Sequence, residues 1–124
     1  MKTIPPTQLA VLIRSDAQRF DALKRKIAQL DYFCKGTLLK RMMKCGHQPC
    51  ACHRDPAKRH GPYFECTYKV HNRTVNLRLS PQAAPLYRTA IQQSRRLKSL
   101  LQRMERLSRQ ALAHLAQHRA TRQH

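Results

Sequence analysis

The chain has 124 residues and carries 25 Lys and Arg against 6 Asp and Glu, a formal net charge of +19. No run of residues is apolar enough for a signal sequence or a membrane span, so we expect a cytoplasmic protein of one small domain, 1–124, with no membrane partner. Positive charge in this excess repels itself in the folded chain and favours a polyanion, most commonly nucleic acid.

The first predicted element is an amphipathic helix over 7–33. Its start is marked by Pro5 and Pro6, because proline is favoured in the first turn of a helix. Apolar residues then recur at three- and four-residue steps, the period of an α-helix. They are Leu9, Leu12, Ile13, Phe20, Leu23, Ile27 and Leu30.

The second segment, 36–80, predicts a small antiparallel sheet. "YFECTYKV" places Phe64, Cys66, Tyr68 and Val70 on one face, and "RTVNLRL" alternates in the same way. His71-Asn72 between them is a two-residue turn, since Asn tolerates positive φ. An isolated hairpin is only marginally stable, so "GTLLKRMMK" is expected to add a third strand, although its poor alternation leaves a helix open.

The third segment predicts a long helix over 81–120. Ser80 is a good N-cap before Pro81, and Pro85 is expected to kink the helix or to delay its true start. An apolar face follows, on which Leu101 is expected to meet the first helix in a shared seam with Leu23. The face consists of Leu86, Ala90, Leu97, Leu101, Met104, Ala111 and Leu115, broadened by Leu100 and Leu107.

These elements predict an α+β protein: an N-terminal helix, a small sheet of three antiparallel strands with a Cys/His loop, and a long C-terminal helix that packs on the first helix. The helices could instead pair between two chains and give a homodimer.

The loop between the predicted strands contains three cysteines within eight residues, Cys45, Cys50 and Cys52, followed by His60. Thiols stay reduced in the cytoplasm, where clustered cysteines hold metal more often than they form disulfides. Zn²⁺ prefers four thiolate and imidazole ligands in a tetrahedron. The spacing therefore predicts a structural zinc site formed by Cys45, Cys50, Cys52 and His60.

The fourth ligand has alternatives. Cys66 is less favoured than His60 because it falls on the apolar face of its strand, and His53, His47 and Cys34 are more remote options. A loop of reduced thiols without metal is the main competing interpretation, and a redox or catalytic cysteine is a weaker one. A nucleophilic cysteine needs a base and an orienting partner, and no acidic residue is placed convincingly beside the cluster.

The segment 36–81 resembles a small bacterial family of unassigned function. The resemblance rests on a G-[ST]-L strand, CG…CxC and then HGPY before a hairpin and a Pro-led helix. Its residues here are Gly36, Thr37, Leu38, Cys45, Gly46, Cys50, Cys52, His60, Gly61, Pro62 and Tyr63. The chain departs from the pattern at His71-Asn72, where the family is richer in glycine, and at Cys66. The resemblance favours His60 as the fourth ligand and implies an association with mobile elements.

These observations favour a nucleic-acid-binding protein, with DNA preferred to RNA. A two-stranded ribbon fits a major groove, where Asn76 and Arg78 are residue types that recognise adenine and guanine, while other basic residues contact phosphate. We expect no enzymatic activity, because the six acidic residues are scattered and no glycine loop for phosphate is present. The alternative is an interaction subunit whose helices dimerise or bind a recombinase or transposase. The predicted nucleic-acid contacts are Lys40, Arg41, Lys44, Arg54, Lys58, Arg59, Lys69, Arg73, Asn76, Arg78, Arg96, Arg103 and Arg106.

Overall fold

The computed structural model describes residues 3–43, 46 and 48–122. The chain forms two compact units: a helical unit, from Met1–Leu30 and Arg96–His124, and a sheet unit, Asp31–Arg95. The helices are α1 (Pro6–Ala28) and α2 (Ala84–Arg122), and α2 contributes residues to both units. The strands are β1 (Thr37–Met43), β2 (His60–Val70) and β3 (Arg73–Leu79). The predicted fold of helix, three-stranded antiparallel sheet and long helix packing on the first is confirmed.

Helix α1 begins at a proline, as the sequence predicts, but it ends at Ala28 rather than at residue 33. The following segment is held to α2 within the sheet unit. The amide of Asp31 donates to Oε1 of Gln93 (3.2 Å), and the amide of Cys34 donates to the carbonyl oxygen of Ala90 (3.2 Å). These amides therefore have partners outside α1 and do not extend it.

The helical unit buries leucines and one polar cluster. Leu9, Leu23 and Leu100 are buried. Asp16 is buried as well, and its carboxylate accepts from Nε2 of Gln110 (2.8 Å) and lies 2.6 Å from Nδ1 of His114. A buried carboxylate is tolerated only with such partners, so the cluster limits how the two helices can slide past each other.

The apolar seam of α2 differs from the predicted one. Leu101 has 52% of its surface exposed, whereas its neighbour Leu100 has 3%. Leu86 and Leu115 are exposed too. The apolar face of α2 is broad, and periodicity alone does not say which side of a broad face turns toward a partner.

In the sheet unit the strands lie in the order β1-β2-β3, all antiparallel. One face of the sheet carries the core, in which Cys66 and Leu79 cluster with Ile91 of α2. Around them pack partly buried residues, namely Cys34, Leu38, Phe64, Tyr68, Leu77, Ala83 and Tyr87. The alternation of "YFECTYKV" thus has the predicted inward side, and the predicted third strand is present.

The residue at which α2 begins explains how the helix accommodates Pro85. Ser80 Oγ accepts from the amide of Ala83 (3.1 Å), and the α-helix begins at Ala84. Pro85 therefore lies in the first turn, where its missing N–H costs no hydrogen bond. Of the two predicted outcomes for Pro85, the delayed start is the one observed.

The hairpin turn contains two residues in the left-handed region. His71 has φ 50° and Asn72 has φ 63°, the pattern of a type I′ turn that matches the twist of the flanking strands. Residues other than Gly, Asn and Asp are strained in this region of φ. We therefore expect Asn72→Gly to raise the free energy of unfolding by up to about 1 kcal/mol. Asn72→Ala should lower it by about 1 kcal/mol. Urea unfolding of both variants measures this, and an equal response to Gly and Ala would contradict the turn geometry.

Candidate metal centre and nucleic-acid interface

Three of the four predicted metal ligands lie together. The ligand atoms of Cys50, Cys52 and His60 are all within 4.8 Å of one another. The Sγ atom of Cys50 is 3.2 Å from Nε2 of His60. Cys52 is 1% exposed, while His60 is open to solvent. This cluster could hold a metal ion with one side shielded by protein. The fourth predicted ligand, Cys45, lies outside the described residues.

Short backbone turns bring these ligands together. Cys50 directly precedes a single 3₁₀ turn, Ala51–His53, which contains Cys52. Only Ala51 separates the two cysteines in this tight turn. A second 3₁₀ turn, Pro56–Lys58, follows at once, and the carboxylate of Asp55 caps it by accepting from the amide of Ala57 (3.0 Å). His60 follows two residues after the second turn as the first residue of β2.

The position after His60 requires glycine for steric reasons. Gly61 has φ 135°, a conformation that L side chains rarely adopt, and the Gly61-Pro62 peptide bond is cis. A Cβ atom at this position would lie 2.8 Å from the carbonyl oxygen of Arg41. The HGP sequence therefore allows β2 to start directly against β1 with His60 at its end.

The two other cysteines of the described chain belong to the core of the sheet unit. Cys66 is 1% exposed, and Cys34 packs beside it. Burial raises the pKa of the Cys66 thiol, and the neighbouring Cys34 raises it further. A thiol held protonated is a poor metal ligand, because metals bind the thiolate. The buried position of Cys66 agrees with the prediction that it is a less favoured ligand because it lies on the apolar face of its strand.

The polar face of the hairpin contains the residues predicted to recognise bases. The guanidinium of Arg78 lies over the ring of Tyr63, 4.9 Å from its centroid, and Arg78 is opposite Glu65 in the register. Oδ1 of Asn76 accepts from Oγ1 of Thr67 (3.1 Å). Asn76 and Arg78 remain exposed. Each side chain thus contacts a neighbour while the residue stays accessible to solvent.

The predicted phosphate contacts of the sheet unit do not share one surface. Lys40 is paired with Phe64 and Arg41 with Tyr63, so these neighbours point to opposite faces of β1. The Nε atom of Arg59 is buried and has no hydrogen-bond partner in the described part of the chain. The remaining predicted contacts are exposed, namely Arg54, Lys58, Lys69 and Arg73. Lys44 lies outside the described residues.

Two further basic residues accompany Lys40. A cavity of about 250 Å³ between β1 and α2 is lined by Lys40, Arg88 and Arg95, with no acidic residue among its lining. The sequence prediction omitted both arginines from the interface. Only the packed structure shows that Arg88 and Arg95, which are distant from Lys40 along the chain, line the same cavity as Lys40.

The basic residues predicted on the last helix are all on the surface. Arg96, Arg103 and Arg106 are exposed positions of α2 in the helical unit. Few basic residues form ion pairs. Lys24 pairs with Asp21 (3.1 Å), and Arg109 pairs with Glu105 (2.9 Å). Among the described residues, no other Lys or Arg pairs with a carboxylate. The positive charge of the chain is therefore largely uncompensated from within.

Comparison with known proteins gives one match. The model of a family described as Domain of unknown function (DUF6788) matches residues 14–89, more than half of the chain. No match was found among curated proteins or among solved structures. Within the described ranges, neither α1 nor α2 offers a stretch of the length and apolarity needed to cross a bilayer.

Proposed function

The chain belongs to the DUF6788 family, and we propose that it is a non-enzymatic nucleic-acid-binding protein, with DNA its preferred ligand and a structural zinc ion in its Cys/His loop. One observation carries the proposal. A chain with a net charge of +19 pairs only Lys24 and Arg109 with carboxylates among its described Lys and Arg residues. Unpaired cations in this number are stabilised by a polyanion, and phosphate contacts supply most of the affinity of such proteins.

The metal proposal is supported by the donor set. Two thiolates and one imidazole are ligands of tetrahedral zinc sites, in which donors about 2.0–2.3 Å from the ion are about 3.3–3.8 Å apart. The 3.2 Å between Cys50 Sγ and His60 Nε2 is close to that separation. Zinc would stabilise the two short 3₁₀ turns, Ala51–His53 and Pro56–Lys58, and would fix the beginning of β2. Cys45 is the proposed fourth ligand on sequence spacing.

The orientation of the hairpin supports DNA as the ligand. Its exposed face presents Asn76 and Arg78, and a two-stranded ribbon fits the major groove of duplex DNA. Lys69 extends this face toward the turn, while Arg73, paired with Val70, lies at the turn on the opposite face, and both would contact phosphate. The resemblance of the G-[ST]-L…CxC…HGPY motif to a family associated with mobile elements supports a role as an accessory or regulatory factor of such an element in the cytoplasm.

A second candidate function is supported by exposed apolar residues of the helical unit. Leu112 and Leu115 are exposed and line an apolar cavity of about 420 Å³ with Ile13 and Phe20. The chain would then be an interaction subunit that forms a homodimer or binds a recombinase or transposase. Size-exclusion chromatography at high salt, without polyanions, tests the homodimer.

A salt titration tests the main proposal. We expect affinity for a random-sequence duplex to fall roughly 10³- to 10⁵-fold between 50 and 200 mM salt if about six to ten phosphates are contacted. Parallel titrations with single-stranded DNA and RNA show which ligand is preferred. Binding that is indifferent to salt would contradict the proposal and would favour the interaction subunit.

Recognition by the hairpin needs its own measurement. On a duplex sequence selected by the protein from a random pool, we expect Arg78→Ala to lose about 1–3 kcal/mol of binding free energy and to lose less on random sequence. The matched control is Arg73→Ala on the same strand, which should weaken binding to both duplexes alike. Equal behaviour of the two variants would show that the hairpin contacts phosphate only.

A further inference from the structure

In one cavity of the helical unit, every charged residue of the lining is positive. It has a volume of about 500 Å³ and lies between α1 and α2. Its floor is apolar, formed by Ala22, Leu23 and Leu107. Its polar lining, here named the basic groove, consists of Arg19, Lys26, Arg103, Arg106 and Gln110. Arg19 and Lys26 are absent from the contacts that the sequence predicts.

The acidic residues of the helical unit do not neutralise the basic groove. This unit has three, and each has another partner: Asp16 contacts His114 and Gln110, Asp21 pairs with Lys24, and Glu105 pairs with Arg109. Lys24 is further held near the ring of Phe20, 5.6 Å from its centroid. None of the three carboxylates lines the groove. A cleft with walls of one charge and an apolar floor concentrates its field on a ligand inside it.

The arrangement of the cations indicates the kind of anion. Arg19 and Lys26 are seven residues apart and therefore about 10.5 Å apart along α1. Arg103 and Arg106 are one turn apart on the other wall. Charges spread along both walls suit an extended chain of phosphates better than one free phosphate ion.

We propose that the basic groove binds the sugar–phosphate backbone of nucleic acid, as a sequence-independent site separate from the hairpin. This inference rests on the proposed function, since it names a second surface for the same ligand. Gln110, whose amide could otherwise contact a base, already donates to Asp16 (2.8 Å), and the long flexible cations of the groove contact phosphate oxygens without regard to sequence.

The test uses two double variants of the full chain with the same loss of charge. Arg19→Gln with Lys26→Gln removes two cations from the groove. Arg14→Gln with Arg25→Gln removes two exposed cations from the same helix. At 100° per residue, these two positions lie about 120–140° around α1 from Arg19, which lines the groove. Glutamine keeps a long side chain with good helix propensity, and circular dichroism verifies that both variants remain folded.

We expect the groove variant to make the log–log salt slope on random duplex DNA shallower by roughly 1.8, which corresponds to two lost phosphate contacts. The control variant should keep the slope of the parent. Arg103→Gln with Arg106→Gln should match the groove variant, because these residues form the opposite wall.

The outcomes separate the two proposals. If both α1 variants flatten the slope equally, the groove is no site and only net charge matters, while the proposed function stands. If inorganic phosphate protects the parent from thermal unfolding as well as DNA does at equal phosphate concentration, the groove binds small anions and the inference is wrong. A parent that shows no salt-dependent binding overturns the proposed function and this inference with it.

Discussion

Replacing Cys52 with Ser should release one zinc ion per chain and unfold the loop before β2. Cys52 is buried within the cluster that it forms with Cys50 and His60, and serine is a much weaker ligand than a thiolate. Structural zinc contributes about 10–16 kcal/mol of apparent binding free energy in small zinc-finger peptides, so the loss should exceed that of an ordinary buried substitution. Elemental analysis of the purified protein, together with thermal unfolding before and after chelation, measures both effects.

Other cysteines provide the controls. Cys34→Ser should retain the metal because Cys34 packs in the sheet core. Cys66→Ser should lower stability, because a hydroxyl replaces a buried thiol, yet should also retain the metal. Cys45→Ser should lose it, if Cys45 is the fourth ligand. A parent protein that contains no metal and melts at the same temperature with or without added zinc would refute the zinc site.

Leu100→Asp should unfold the helical unit, whereas Leu101→Asp should be tolerated. Leu100 is buried and Leu101 is half exposed, although they are the same residue type in neighbouring positions. A carboxylate at the buried position loses the packing of a leucine and its own hydration, for a cost of at least about 3–5 kcal/mol. At the exposed position the cost is less than about 1 kcal/mol, mainly from lower helix propensity.

Urea unfolding followed by circular dichroism distinguishes the two variants. Leu23→Asp, the corresponding buried change on α1, should behave like Leu100→Asp. A stable Leu100→Asp variant would mean that α1 and α2 do not depend on each other for folding. A strongly destabilised Leu101→Asp variant would mean that this exposed face is covered in solution, as a homodimer requires.

The sheet was predictable because its signals are local. Alternation in "YFECTYKV" and "RTVNLRL" determines which side of each strand is buried, and His71-Asn72 sets the register between them. The delayed start of α2 likewise follows from Ser80 and Pro85. The position of the seam on α2 was not predictable, because Leu100 and Leu101 both belong to a broad apolar face and only the packed helices distinguish them.

The candidate site, like the fold, was predictable from the sequence only in part. Spacing in the loop was sufficient to bring Cys50, Cys52 and His60 together as predicted ligands. The basic residues needed more information. Lys40 and Arg41 were both predicted to contact phosphate, yet neighbouring residues of a strand point to opposite faces. The basic groove depends on residues more than seventy positions apart along the chain, which no local pattern connects.

The continuity of α2 affects how the protein can be shortened. The segment that matches the family, residues 14–89, includes all three strands but stops within α2, before the buried Leu100 and before both partners of Asp16. A fragment cut at those limits would leave the carboxylate of Asp16 without Gln110 and His114 and would expose Leu23 to water. A fragment limited to the region of family similarity therefore lacks the packing partners of α1, and we expect an expression fragment that keeps α1 folded to extend through His114.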